Sequence, residues 1–419
     1  MDVDLLIRGA RVVTCAGPAT GAPRERLAMI DRGAVAMHAD RIAWVGQDSD
    51  AGALVRSAKR TIDARDHVLL PGLVDPHTHL VFAGSRVDDL ARKLAGDSYQ
   101  SIAAAGGGIA STVRATRAAS DETLYALSRA RALQMRAGGT TSAEVKSGYG
   151  LSVAHELSQL GVGRRLARDG VLHTTTTLLG AHAIPAERRD DRAGYLREVC
   201  LEMIPRAAAA QLADAVDVYC DEGAFTLAET RQVLEAARAA GLAVRAHVGQ
   251  FRDLGGAQLC AELGALSADH LEEVSDAGLD ALARAGTVAV LLPGAWRTLR
   301  QTPPDAARFR AHGVRIAVGT DCNPGTSAMT DLGLAAALAV RDAGLALDEA
   351  VLAVTCDAAR AAGLRDAGQI AAGARADLAM FAGDDPRILG YALGGLRAAL
   401  VVLAGNIVVE SAPDASVVW

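Results

Sequence analysis

The chain has 419 residues and a formal net charge of −6; hydrophobic residues make up 50% of it, yet aromatics only 3%. So much aliphatic material builds a large core of Ala, Val, Leu and Ile, as in a parallel-strand α/β interior, and length alone allows two or three domains. The acidic balance, the lack of any Lys/Arg run and the scarcity of stacking rings exclude nucleic acid as a main partner.

The opening residues MDVDLLIRGA carry acids where a secretory signal needs positive charge, and no apolar h-region follows. Segments 5–14 and 34–46, and a stretch around Thr61–Ile62, are apolar, β-rich and broken by Gly, Asp and Pro, so they read as short strands. From residue 68 the pattern alternates. Eight apolar segments end in polar residues: 73–80, 140–148, 172–183, 216–225, 242–250, 265–271, 287–294 and 315–325. Ala/Arg/Leu/Glu-rich helical stretches separate them, which implies βα units and a parallel sheet. Eight units over roughly 250 residues is the size of a (β/α)8 TIM-like barrel. No G-x-G-x-x-G follows the first strand to support a doubly wound open sheet.

Strand-like residues return at 376–383 and 396–410, with Gly405-Asn406 as the expected hairpin turn. The apolar stretch 390–406 is interrupted by Arg397 and by glycines, so no membrane span is expected. The two strand-rich ends, 1–67 and 368–419, predict one small β-sandwich domain flanking a barrel of 68–367. The cysteines (Cys15, Cys200, Cys220, Cys260, Cys322 and Cys356) are scattered without a C-x-x-C pair, as in a reduced cytoplasmic protein.

The polar residues at the strand ends carry the chemistry. Side chains alternate along a strand, so His77 and His79 project to the same side. His247 ends the fifth segment, His270 the sixth and Asp321 the eighth. One buried histidine is ordinarily a hydrogen-bonded core residue. Four histidines and an aspartate at strand exits, where barrel enzymes keep their active sites, point instead to a metal centre. His77, His79, His247 and Asp321 fill a mononuclear shell with room for water, whose pKa an ion lowers to about 7. The reaction class is hydrolysis of an amide-like bond, or deamination. His270 is left beside the ion for proton transfer or carbonyl polarisation. Glu272 and Glu273 read as the solvated start of a helix. The glycines 106–108 lack the Lys-Ser/Thr of a phosphate loop and read as a mobile loop over the site.

The runs DPHTHLVFAGSR (75–86), GGGI (106–109), AEVKSGYGL (143–151), LGAHAIP (179–185), LSADHL (266–271), AVLLPG (289–294) and TDCNPGTS (320–327) resemble the imidazolonepropionase family of the amidohydrolase superfamily over nearly the whole chain. The His-x-His signal is shared by the superfamily; EVKSGYG, GAHAIP and D-x-NPG are much narrower. The resemblance implies that water opens the ring of 4-imidazolone-5-propanoate to N-formimidoyl-L-glutamate in histidine breakdown, with one zinc or iron ion per chain. It matches His77, His79, His247 and Asp321 to metal ligands, and Arg86, Tyr149, His182, Asn323, Gly325 and Thr326 to substrate-holding positions. Lys146 stands in a motif that these enzymes carry without a lysine-bridged second metal.

Physics agrees at several of these positions. Arg86 can fork onto the propanoate carboxylate. Tyr149 can reach in on a flexible Gly-Tyr-Gly backbone, and His182 can donate a hydrogen bond to substrate. Asn323 can donate to and accept from a ring amide, although Asn-Pro-Gly is equally a turn. Tyr99 is a further candidate for the propanoate.

One departure stands out. The family usually reads His-Ala-Asp/Glu-Glu/Gln after the strand-5 histidine; here the residues are His247-Val248-Gly249-Gln250. A glutamine binds substrate but cannot take a proton. Related deaminases use a glutamate there, so Gln250 counts against deamination and moves acid–base work to His270 and Asp321. An aminohydrolase of purine- or pterin-like rings would need an acid at 250 and no Arg86. A scaffold that had lost its metal would not keep the His77/His79/His247/Asp321 set. The expected partner is the small-molecule substrate, with no nucleic acid, no membrane and a homodimer as the oligomer to look for.

Overall fold

The computed structural model describes residues 1–97, 101 and 105–411, so Tyr99 lies outside the described residues. Five strands come from the first part of the chain: β1 (Asp2–Val13), β2 (Met29–His38), β3 (Arg41–Gln47), β4 (Ser57–Asp63) and β5 (His67–Pro71). The middle supplies β6 (Leu73–Thr78), β7 (Thr140–Lys146), β8 (His173–Ala181), β9 (Ala215–Cys220), β10 (Ala243–Val244), β11 (Ala246–Val248), β12 (Ser267–His270), β13 (Val288–Leu291) and β14 (Ile316–Val318). The end supplies β15 (Leu378–Ala382), β16 (Leu400–Leu403) and β17 (Asn406–Glu410).

The middle strands form one parallel sheet in the order β14-β13-β12-β11-β9-β8-β7-β6, with β10 beside β9. The ends of this sheet meet. Thr78 bridges Cys322 in parallel, the Asp321 amide donates to the His77 carbonyl at 3.0 Å, and the His79 amide donates to the Cys322 carbonyl at 3.0 Å. The sheet is therefore a (β/α)8 barrel, and each of the eight expected segments overlaps one of its staves, the fifth covering both β10 and β11. Helices separate the strands, among them Asp121–Ala137, Val153–Arg168 and Leu227–Ala239. Among the described residues, no helix is long and apolar enough to cross a membrane.

The strands of both chain ends form the second sheet, in the order β17-β16-β15-β5-β1-β2-β3, with β4 on β1. Period-two alternation gives it two working faces. Leu69, Leu378, Met380, Leu400 and Val402 join its own core with Ile7 and Met37. Val68, Leu70, Ala379, Phe381 and Val401 point the other way and merge with the main barrel core. The sheet is thus cemented to the barrel by alternate residues of the same three strands.

Two local expectations shift. Segment 34–46 is two strands, because the chain reverses at Ala39-Asp40 between paired His38 and Arg41, with Ala39 at φ 51° and its amide held by Asp4. The C-terminal hairpin turns at Ala404-Gly405, φ 48° and 76°, one residue earlier than Gly405-Asn406; Asn406 is already paired with Leu403. A two-residue hairpin of this type needs both central residues at positive φ.

Candidate metal centre and active site

His77 and His79 leave β6 on one side, as the alternation requires, and both are buried. Barrel closure brings Asp321 to them. Its Oδ1 lies 3.5 Å from Nε2 of His77 and 3.5 Å from Nε2 of His79. His247, on β11, sets its Nε2 3.4 Å from Nε2 of His79. Two neutral imidazole nitrogens facing each other this closely, with Nε2 of His77 buried and without a hydrogen-bond partner, make an electron-rich centre suited to a cation. Ligand bonds of about 2.0–2.1 Å in a tetrahedron set donor atoms roughly 3.3–3.5 Å apart, the spacing of these three contacts, and His77, His79 and His247 form a group that could hold one ion. Burial holds His77 and His79 well below the ordinary histidine pKa and His247 at about 4, which keeps all three in the neutral, ligating form.

Beneath the rings lies a layer of charges that the sequence reading missed. Asp269 Oδ2 accepts Nδ1–H of His77 at 2.7 Å, and Asp217 Oδ1 accepts Nδ1–H of His247 at 3.0 Å. These contacts set the tautomer that points each Nε2 at the centre. Lys146 ties the two carboxylates together, with Nζ 2.7 Å from Asp217, 3.1 Å from Glu144 and 3.5 Å from Asp269. Arg245 stands 3.8 Å from Glu144. Burial pushes the Lys146 pKa down, but Asp217, Glu144 and Asp269 outweigh it and the net shift is upward. Lys146 is thereby committed as a cation to the layer under the histidines. The available signal was an acid at an alternate position in otherwise apolar strands: Asp217 in β9 and Asp269 in β12.

Asp321 and His270 occupy backbone that non-glycine residues rarely adopt, with φ 52° and 79°. Such conformations cost of order 1–3 kcal/mol and cluster at working sites. Asp321 is held in place by its neighbours: Thr326 Oγ1 donates to its Oδ2 at 3.3 Å, and Asn323 Nδ2 donates to its carbonyl at 2.7 Å. Burial raises its pKa to about 6. The His270 ring centroid is 5.4 Å from that of His247 and 6.0 Å from that of His77, beside the convergent set and outside it. Burial opposes charge on His270, but Glu272, Asp321 and Asp269 outweigh it and raise its pKa. Glu272 is not solvated, as its place after a strand suggested. Its side chain is fully buried with Oε1 3.6 Å from His270 Nδ1, whereas Glu273 is exposed. The helix that Glu272 was expected to start begins only at Asp276, capped by Ser275.

The remaining candidates ring this centre. His182 stacks on His79 at 5.1 Å and donates Nδ1–H to the Gly148 carbonyl at 2.9 Å. Burial holds its pKa at about 4, so the neutral ring offers Nε2 as an acceptor, the reverse of the donor expected. Tyr149 lies 5.8 Å from His79, and burial keeps its hydroxyl protonated. Its backbone is not flexible: Glu156 accepts the amides of Gly148, Gly150 and Leu151, and Gln159 accepts that of Tyr149. Gln250 takes a hydrogen bond from the Tyr219 hydroxyl on Oε1 at 2.8 Å, which turns its NH2 group into the donor left for a ligand. Asn323 spends its side chain on the turn, with Oδ1 accepting the amides of Gly325 and Thr326.

Arg86 is mostly buried, with Nε on Asp89 at 2.6 Å. A Cβ on Gly325 would come within 2.7 Å of its Nη1, so a side chain there would push this guanidinium aside. The amide of Gly108 also donates to Asp89, which ties the end of the 106–108 glycine run to Arg86 and opens the helix Ile109–Ala118.

A model of the amidohydrolase family matches residues 68–416. The chain is 49% identical to the imidazolonepropionase of Acidiphilium cryptum over 92% of its own length and 94% of that protein's. It is 48% identical to the imidazolonepropionase of Methylobacterium sp. strain 4-46, over 94% and 97%. Among solved structures it is similar to a zinc-bound adenosine deaminase from Xanthomonas campestris, with a TM-score of 0.70, 22% identity and coverage of 98% of this chain and 93% of that one. At that identity the likeness speaks for the fold alone.

Proposed function

This chain belongs to the imidazolonepropionase family of amidohydrolases, and from that membership we propose that it hydrolyses the cyclic amide of 4-imidazolone-5-propanoate to N-formimidoyl-L-glutamate, a step of histidine breakdown. The observation that carries this reading is the meeting of His77, His79, His247 and Asp321, with Asp321 3.5 Å from His77 and from His79 and His247 3.4 Å from His79, and with the guanidinium of Arg86 beside Gly325.

In this reading the four side chains hold one zinc or iron ion. A bound ion supplies activated water at neutral pH and a Lewis acid for the ring carbonyl. Water adds to that carbonyl carbon, the ring C–N bond breaks, and the released nitrogen takes a proton. Asp321 accepts the proton of the incoming water and can return it to the nitrogen. His270 faces the same centre with both ring nitrogens protonated, and its Nε2–H donates to the carbonyl oxygen as negative charge grows on it. Arg86 keeps its terminal NH2 groups for the propanoate, since only Nε is engaged by Asp89. Gln250 donates its NH2 to the ring, Tyr149 its hydroxyl, and His182 accepts a ring N–H. Gln250 cannot carry a proton, which favours ring opening over deamination.

Six unpaired cysteines support a reducing, cytoplasmic setting. The test is direct: metal-replete protein is mixed with 4-imidazolone-5-propanoate and loss of the ring chromophore is followed. A persistent chromophore overturns the proposal.

A further inference from the structure

We propose that Glu272 is the positioning residue for His270, an inference that rests on the reaction proposed above. Its carboxylate accepts Nδ1–H of His270 and so presents Nε2 to the substrate. Three groups lack hydrogen-bond partners at this spot: Nδ1 of His270 and both oxygens of Glu272. The Glu272 side chain has no exposed surface, and Oε1 stands 3.6 Å from that nitrogen. A buried carboxylate without a partner is costly, and so is a buried ring N–H. The two deficits are complementary, and a closing movement of about 0.5 Å makes a normal hydrogen bond. Catalytic contacts of this kind tighten when substrate binds.

The backbone makes the meeting possible. His270 and Leu271 both adopt left-handed conformations, φ 79° and 69°, where neither residue type is at ease. The double back-turn folds the side chain at 272 under the ring at 270. The Leu271 amide fixes the turn to the Val248 carbonyl at 3.1 Å, and the Glu273 amide fixes it to the Gly249 carbonyl at 2.8 Å. The arrangement then repeats a pattern in the site. His77 has Asp269 on Nδ1, His247 has Asp217 on Nδ1, and His270 has Glu272 on Nδ1. The first two carboxylates aim ligands; the third aims the ring that works beside them.

The experiment compares Glu272→Met and Glu272→Gln in the metal-loaded protein, each also in a His270→Ala background. Glu272→Met is expected to lower kcat by about 10–100-fold, with KM within about twofold and metal content full. Glu272→Gln, whose Oε1 still accepts Nδ1–H, is expected to recover most of that loss. In the His270→Ala background neither change should reduce turnover further, because residues that act as one unit are not additive. The ring-nitrogen NMR spectrum of histidine-labelled protein, with the His270 signal assigned by its loss in His270→Ala, should show a hydrogen-bonded Nδ1–H in the wild type and in Glu272→Gln and lose that signature in Glu272→Met. An unchanged kcat in Glu272→Met, equal losses in both backgrounds, or loss of metal from the variant overturns the proposal. If the wild type does not open the imidazolone ring, the functional reading fails, while the ring-nitrogen spectrum still decides the role of Glu272.

Discussion

In the proposed reaction, Asp321 is the side chain on which metal binding and proton transfer meet. Without an ion, burial holds its carboxyl at about 6. It must lose that proton to ligate, whereas the neighbouring imidazoles are already neutral there. Metal affinity should therefore be flat above about pH 6.5 and fall as pH drops below 6, by close to tenfold per pH unit. Competition with a chelator between pH 5 and 8 checks this; a slope of zero below pH 6 contradicts it. His270→Ala should lower kcat by about 10²–10⁴ with metal content intact; loss of the ion along with activity would make His270 a ligand instead. Arg86→Ala should act mainly on KM, at a cost of roughly 2–5 kcal/mol, because the propanoate is held equally in ground and transition states. Steady-state kinetics with the natural substrate and with an analogue lacking the carboxylate separates the two: the analogue should not distinguish Arg86→Ala from wild type.

Among the elements, helix Leu227–Ala239 shows how a local signal and a distant partner combine. Thr226 caps it and Glu229 completes the capping box, while Arg192 holds Glu229 from another segment through two hydrogen bonds. That contact, more than any other, depresses the Glu229 pKa to about 2. A depressed carboxylate contributes its full stability above the unfolded value near pH 4.5 and loses it as pH falls toward 2. Glu229→Gln should then cost on the order of 1–2 kcal/mol at pH 7 and progressively less below pH 4.5, read as a melting-temperature gap that closes on acidification. The box was readable in the chain as Thr-x-x-Glu; Arg192 was not. The same division runs through the molecule. Apolar runs ending in polar residues located the barrel strands, since alternation and strand exits are local properties. The turn at Ala404-Gly405 was misplaced because an alanine at positive φ leaves no mark in composition. Glu144, Asp217, Asp269 and Arg245 were missed because their pairing with Lys146 exists only once separate strands are side by side. Glu272 was read as solvated because only the backbone at 270 and 271 turns it inward.

For the whole molecule, the second sheet depends on residues from opposite ends of the chain. β5 pairs with β1 on one side and with β15 on the other, and β16 and β17 follow β15. Leu400, Val401, Val402 and Leu403 are all buried. Each contributes about 1.5–3 kcal/mol, so the four together match much of the roughly 5–15 kcal/mol that holds a typical domain. Truncation after residue 395 should therefore yield protein that aggregates or elutes in the void volume, although every proposed site residue remains. A truncated chain with the full melting temperature would show that the barrel needs no support from this sheet.

Barrel closure also sets a clock. Asp321 reaches His77 only when the last stave docks against the first, and at roughly 5–20 residues per second the ribosome needs tens of seconds to make the chain between them. Throughout that time β6 is an open edge, and its two histidines stand without the last member of the proposed set. The complete proposed set of ligands therefore exists only after the last stave has been made.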